Sequence, residues 1–294
     1  MSLPFGPKDR LGRERSRDRG EDLVLANLRQ ELVLHPFRLA LVLRKLRDVV
    51  PERFLLRVTL RVLVLHVHLA LVLAEAGINV DCLPLLDLPQ PGAHDIIGDR
   101  ALGGEPLRVA ALGRAVLDGL EAGGCVGVVK HIPGHGRAPA DSHRELPVVE
   151  ASADELEVDL APFRALRDAP IAMVAHLLYP AWDDQRPASI SPTIIAELIR
   201  EEIGFDGLLI SDDLAMGALT GTAGERAAAA VAAGCDLALY CSGDLADNEA
   251  VAAALGDAGS ATRERLERAM ARTGRGSGDR AALIGKRDAL LALC

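Results

Sequence analysis

The chain has 294 residues, 49% of them hydrophobic, with a net charge of −9 and an isoelectric point near 5.4. That length buries a large core, as one α/β barrel or as two smaller domains, and the acidic balance sets aside nucleic-acid binders, which carry a basic footprint. Five cysteines (Cys82, Cys125, Cys235, Cys241 and Cys294), odd in number and without a CxxC pair, exclude a disulfide framework or a zinc ribbon and point to thiols in a reducing compartment.

The first twenty residues are a mixed-charge, Gly-containing tail expected to be disordered, with no apolar core of the signal-peptide kind. From Leu23 to Val50 the apolar positions fit a helix, punctuated by Pro36 and Pro51. Arg57 to Leu73 alternates like a strand but has the length and Leu/Ala content of a helix, and periodicity does not choose between them. The apolar run Val62–Ala74, about thirteen residues containing His66 and His68, reads as too short and too polar to span a bilayer. A cytoplasmic protein with no membrane partner is therefore expected. Residues 1–75 are roughly a quarter Leu and a sixth Arg, which sets them apart from residues 76–294; no chemistry is assigned to them.

From Ala76 onward the pattern is well punctuated. Ile78–Leu88 predicts a strand running into the loop Pro89–Asp99. Pro106–Ala122 predicts a helix stopped by Gly123 and Gly124, Val126–Val129 a buried strand, and Ala153–Asp168 an acidic helix. Ile171–His176 follows as a strand, Pro192–Ile203 as a helix, Leu208–Ile210 as a strand, Gly224–Ala233 as a helix and Leu237–Cys241 as a strand. The stretch after Ala261 is helical and Arg-rich in its first part. Short strands alternating with helices mean βα units on a parallel sheet. Polar groups follow the strands repeatedly: Asp87, Lys130 with His131, His176, Asp212 with Asp213, and Ser242. Function at the carboxyl ends of parallel strands favours a (β/α)8-type, TIM-like barrel over an open doubly wound sheet, for which no Gly-rich dinucleotide fingerprint is present.

Each polar group has a chemical and a structural reading. Asp141-Ser142-His143 lies in a Gly/Pro-rich segment where residues two apart point to the same side, so Asp141 can orient His143 and raise its basicity; the plainer reading is a turn beside a surface histidine. Of Asp212 and Asp213, adjacent on a strand, one faces the barrel mouth and the other caps the following turn. Lys130 and His131 either bind a ligand or form a buried ion pair at the rim. His131, His135 and His143 invite a metal reading, but no Glu is placed as in HExxH and glycines and prolines break any helix, so no metal is assigned. Arg100 is a substrate clamp or a surface salt bridge. Tyr179 and Trp182 stack on a ligand or pack beneath their loop.

Taken together, GINVDCLPLLDL, IIGDRALG, KHIPGHGRAPADSHRELP, AHLLYPAWDDQRPASIS and GFDGLLISDDLAMGAL, in this order, resemble the cytoplasmic β-N-acetylglucosaminidases of glycoside hydrolase family 3, over residues of about 76 to 255. The resemblance implies a single barrel without cofactor, and retaining hydrolysis of terminal β-linked N-acetylglucosamine from muropeptides in peptidoglycan recycling. It places the nucleophile on Asp212, the acid/base on His143 with Asp141 as its partner, and sugar contacts on Arg100, Lys130 and His131. A phosphorylase is a sibling reading, and an impaired barrel remnant or amino-sugar-binding protein is another. The chain departs from the family before residue 76. Two barrel strands and an Asp-Gln-Glu-Gly-Gly-Arg type motif are expected there, and residues 1–75 contain no such motif. Their texture points to a shifted reading frame or an eroded stretch.

Overall fold

The computed structural model describes residues 52–274, together with residues 285 and 288. The tail expected over 1–20 and the helix expected over 23–50 lie outside the described residues. The element order begins with helix α1 (Glu52–Glu75), strand β1 (Val80–Asp81), helix α2 (Pro106–Gly123) and strand β2 (Val126–Ile132). Helix α3 (Ala153–Ala165), strand β3 (Ile171–Val174), a π-helix (Ile194–Glu202) and strand β4 (Leu208–Asp213) follow. Helix α4 (Ala223–Ala233), strand β5 (Leu237–Leu239) and helices α5 (Leu245–Ala254) and α6 (Ser260–Met270) complete it. The strands form one five-stranded sheet in the order β1-β2-β3-β4-β5, every neighbouring pair parallel.

Among the described residues this is an open α/β half-barrel of five parallel strands; a (β/α)8-type barrel with atypical or missing N-terminal strands was expected. The physical reason lies at both ends. The segment before β1 that read equally as strand or helix is helix α1, and two helices, with no strand between them, follow β5. Strand β1 is also shorter than expected, because Leu83 onward leaves the ladder and pairs with β2 again, backbone to backbone, as an isolated bridge from Leu85 to Lys130.

Local chemistry explains the helix boundaries. The Glu105 side chain accepts from Leu107 N (3.0 Å) and Arg108 N (2.7 Å) to start α2, and Gly124 ends it at φ 96°. Ser152 with Glu155, and Thr222 with Glu225, form reciprocal capping boxes that start α3 and α4. The segment expected as an ordinary helix after Pro192 is wound as a π-helix, continued by Ile203 N donating to Leu198 O at 2.8 Å.

The sheet has two apolar faces. Val129, Ile132, Ala172, Val174 and Leu209 pack outward against the helices, joined by Leu156, Phe163, Ile195 and Ala230. Val126, Val128, Ile171, Met173 and Leu208 face inward, where Ala269 of α6 covers one end. The inner-face residues Val80, Cys82, Ile210, Leu237 and Leu239 are only partly buried.

Helix α1 buries Leu60, Leu63, Val64, Val67 and Ala70, one stripe at helical spacing. Its neighbour α2 comes close because it presents glycines: a Cβ on Gly119 would lie 2.6 Å from the Leu63 carbonyl oxygen, and one on Gly123 would lie 2.4 Å from the Ala70 Cβ. The expectation that this stretch is too short and too polar for a bilayer is corrected: Val58–Glu75 is long and apolar enough, by length and composition alone, to cross one. His66 does not interrupt it, since its Nδ1 bonds the Val62 carbonyl at 2.7 Å.

Candidate active site

The polar residues converge at the carboxyl ends of β2 and β4. Along β4, Leu208 and Ile210 face inward and Leu209 outward, so alternation points Asp212 inward and Asp213 away. Asp213 does the capping work: its Oδ1 accepts from Ala215 N (3.0 Å) and Cys241 N (2.9 Å), closing the turn after β4 and tying it to the end of β5. Asp212 is left with Oδ1 on the Asp213 N–H (2.8 Å) and Oδ2 4.0 Å from His131 Nε2. Burial pushes the Asp212 carboxyl up, but His131, His176 and the Asp213 amide outweigh it and hold the group below its ordinary value.

His131 sits between two carboxylates. Its Nδ1 lies 2.8 Å from Asp87 Oδ2, and Asp87 Oδ1 accepts from the backbone N–H of His131 (3.2 Å) and His135 (2.7 Å). Asp87 is fully buried. Burial pushes its pKa up, yet the adjacent histidines outweigh this and pull it below the ordinary carboxylate value. Asp87 is a member of the site that sequence reasoning noted only as a polar group after a strand; its position at the end of GINVDCLPLLDL, matching Lys130 and Asp212 on their strands, is the signal that could have found it. His176 is likewise buried, with Nδ1 2.6 Å from Ser189 Oγ and Nε2 3.1 Å from the Asp213 carbonyl, and burial lowers its basicity.

The Asp141–His143 pair forms as expected: Asp141 Oδ1 lies 2.8 Å from His143 Nδ1 and accepts from the His143 N–H at 2.9 Å. The His143 side chain is 60% exposed, and its loop is held towards β4 by Gly217 N donating to the His143 carbonyl at 3.0 Å. Lys130 is half-buried and lies close enough to Asp81 to oppose the rise that burial imposes on that carboxyl. Arg100 is not brought into this cluster: it ends a short 3-10 turn, exposed, with Nη2 donating to the Ile96 carbonyl at 2.6 Å. Tyr179 and Trp182 take the packing role. Tyr179 is buried, its hydroxyl donates to Gly134 O at 2.8 Å, and the two rings lie 5.3 Å apart. His131 and His135 turn to Asp87 and Ser142, and among the described residues no three His, Cys, Asp or Glu side chains are grouped to hold a metal.

Chemically, the site offers an ionised carboxylate on a strand end, a histidine relay behind it and a second, solvent-facing His–carboxylate pair on a loop. The family model described as glycosyl hydrolase family 3 N terminal domain matches residues 66–275. A protein named Beta-hexosaminidase from Bordetella avium is 42% identical over 186 residues, covering 61% of this chain and 53% of that protein. The crystal structure of NagZ from Neisseria gonorrhoeae in complex with N-trifluoroacetyl-D-glucosamine superposes with a TM-score of 0.70 at 30% identity, covering 86% of this chain and 74% of that one. A glycoside hydrolase family 3 beta-N-acetylglucosaminidase from Paenibacillus gives a TM-score of 0.60 at 34% identity, over 81% and 43% of the two chains. The chain spans about half the length of the curated relatives it matches.

Proposed function

The chain belongs to glycosyl hydrolase family 3, and from that membership we propose that it is a β-N-acetylhexosaminidase which removes terminal β-linked N-acetylglucosamine with retention of configuration. The observation that carries this reading is the Asp87–His131–Asp212 cluster at the strand ends, with the Asp141–His143 pair on a loop tied towards the same end through Gly217 and His135. Asp212 attacks the anomeric carbon as His143, protonated and oriented by Asp141, gives its proton to the departing glycosidic oxygen. Water then donates a proton to neutral His143 and its oxygen displaces Asp212 from the glycosyl ester, restoring both groups. The usual family of solutions employs two carboxylates; here the His–Asp pair takes the acid/base part. Lys130, His131 and Arg100 are assigned to the sugar, Arg100 after a movement of its loop. The natural substrate proposed is a muropeptide in the cytoplasm, with residues 76–294 as the catalytic unit and residues 1–75 as a segment of different character.

The test is release of a chromophore from an aryl β-N-acetylglucosaminide. Asp212→Ala is expected to lower turnover by on the order of a thousandfold, and His143→Ala by about a hundredfold. Turnover that neither substitution affects sinks the assignment, and a sugar phosphate appearing only with added phosphate makes the enzyme a phosphorylase. A second reading, amino-sugar binding without turnover, is favoured by the open five-stranded sheet. A thermal transition raised by N-acetylglucosamine in a chain that releases no chromophore would select it.

A further inference from the structure

Asp87 holds two histidines that diverge from it. His131 runs on to Asp212, whereas the His135 ring, edge-on to His131 at 62° with centroids 5.4 Å apart, turns the other way. His135 Nε2 lies 3.0 Å from the hydroxyl of Ser142, the residue between Asp141 and His143. Ser142 is 2% exposed and His135 3% exposed. Residues 141–145 form a tight turn, closed by Arg144 N and Glu145 N donating to the Asp141 carbonyl at 3.0 and 3.2 Å, and the turn puts the Ser142 side chain into the protein while the His143 side chain stays exposed. We infer that His135 and Ser142 are positioning residues: their hydrogen bond pins the acid/base loop from beneath, and through Asp87 ties it to the strand ends that carry His131 and Asp212.

The chemistry of the contact fits this role. Burial and the neighbouring His131 lower His135 to about 4, so near neutrality an uncharged ring meets an uncharged hydroxyl. His135 Nδ1 is buried without a partner. A buried acceptor is left unpaired more often than a buried N–H, which favours the tautomer that donates from Nε2 to Ser142 Oγ. Without the serine hydroxyl neither ring nitrogen keeps a partner, and the loop is held to the body through Gly217 alone among the contacts of Asp141, Ser142 and His143 described above.

The inference rests on the hydrolase reading for its kinetic consequence but not for its structural one, and the full chain with Ser142→Ala tests both. On two aryl β-N-acetylglucosaminides, kcat/KM is expected to fall about tenfold or more where the phenol is a poor leaving group and far less where it is a good one, since only the poor one needs the proton. Asp212→Ala lowers both alike. Hydrogen exchange of the amides of residues 141–145 is expected to accelerate about tenfold, with those of β3 unchanged. An equal loss on both substrates means general damage and overturns the inference, as do unchanged exchange or unchanged kinetics in an active chain. His135→Asn, expected to reproduce the leaving-group split, is the independent second variant. If the wild-type chain shows no turnover, the hydrolase reading fails, and the exchange rates alone decide whether Ser142 pins the loop.

Discussion

Asp212 and Asp213 are neighbours in sequence and opposites in function, because strand alternation aims one at the site and the other at the backbone. Asp213→Ala removes the acceptor for two backbone N–H groups and is expected to cost about 1–3 kcal/mol of stability, seen as a lower urea midpoint, with turnover retained in the folded fraction. Asp212→Ala is expected to do the reverse. The buried histidines set the pH dependence of stability. His135 is depressed to about 4 from its ordinary 6.5, so as pH falls between those values the unfolded chain takes up a proton that the folded chain refuses. Stability is fully present above that window and falls by about 2–3 kcal/mol on going down to about pH 4.5. Urea titrations across this range are expected to show the decline, made shallower by His135→Asn but not removed, since His176 is also lowered. Asp87 and Asp212, both held below their ordinary value, add a further loss only at more acidic pH, as they protonate.

At the scale of elements, α1 and α2 pack through glycine. Gly123→Ala would set a methyl 2.4 Å from the Ala70 Cβ and 2.7 Å from the Val67 carbonyl oxygen, and the forced separation is expected to destabilise by about 1–3 kcal/mol, measurable as a lower Tm. Most elements of this region were legible because their boundaries are local. Gly124 and Gly234 stop helices at positive φ, and Ser152 and Thr222 start them. The Asp141–His143 contact was legible for the same reason, being two residues long. What sequence could not reveal is contact between distant segments. Asp87 meets its partners across 44 and 48 residues; its place after a strand marks it as a site candidate but does not say which residues it bonds. Helix α1 was ambiguous because a Leu/Val-rich stretch satisfies strand and helix periodicity alike, and packing against Gly119 and Gly123 decided the matter.

Across the whole molecule, the underside of the sheet is locked by one buried carboxylate. Asp236 Oδ2 accepts from Arg200 Nη2 (2.8 Å) and Leu209 N (2.9 Å), and Oδ1 from Thr262 Oγ1 (3.1 Å) and Arg265 Nη1 (3.0 Å). It thus joins the π-helix, β4 and α6, which lie far apart in the chain. Asp236→Ala takes the buried carboxylate from Arg200, which keeps the Phe205 and Gly207 carbonyls, and from Arg265, which keeps Asp206. A loss of about 3–5 kcal/mol is expected, with α6 detaching first, and exchange of the α6 amides ahead of those in β3 would show it. The parallel α/β class was readable from the alternation of short strands and helices, whereas the open edge at β1 was not, because the segment before it fits strand and helix periodicity alike and folds as a helix.

The ladder between β3 and β4 runs without a break from Ile171↔Leu208 to Val174↔Ser211, and the register shifts fall between Lys130 and Ile132 and between Ile210 and Asp213. Strands β2 and β4 therefore each have a regular part that carries the fold and an irregular end that carries the chemistry. For laboratory evolution this separates what can be randomised from what must be kept. Libraries that vary only exposed loop residues beyond these ends, such as Arg144 and Glu145, and keep Asp212 and the turn-closing Asp213 would explore new substrates with the buried scaffold intact.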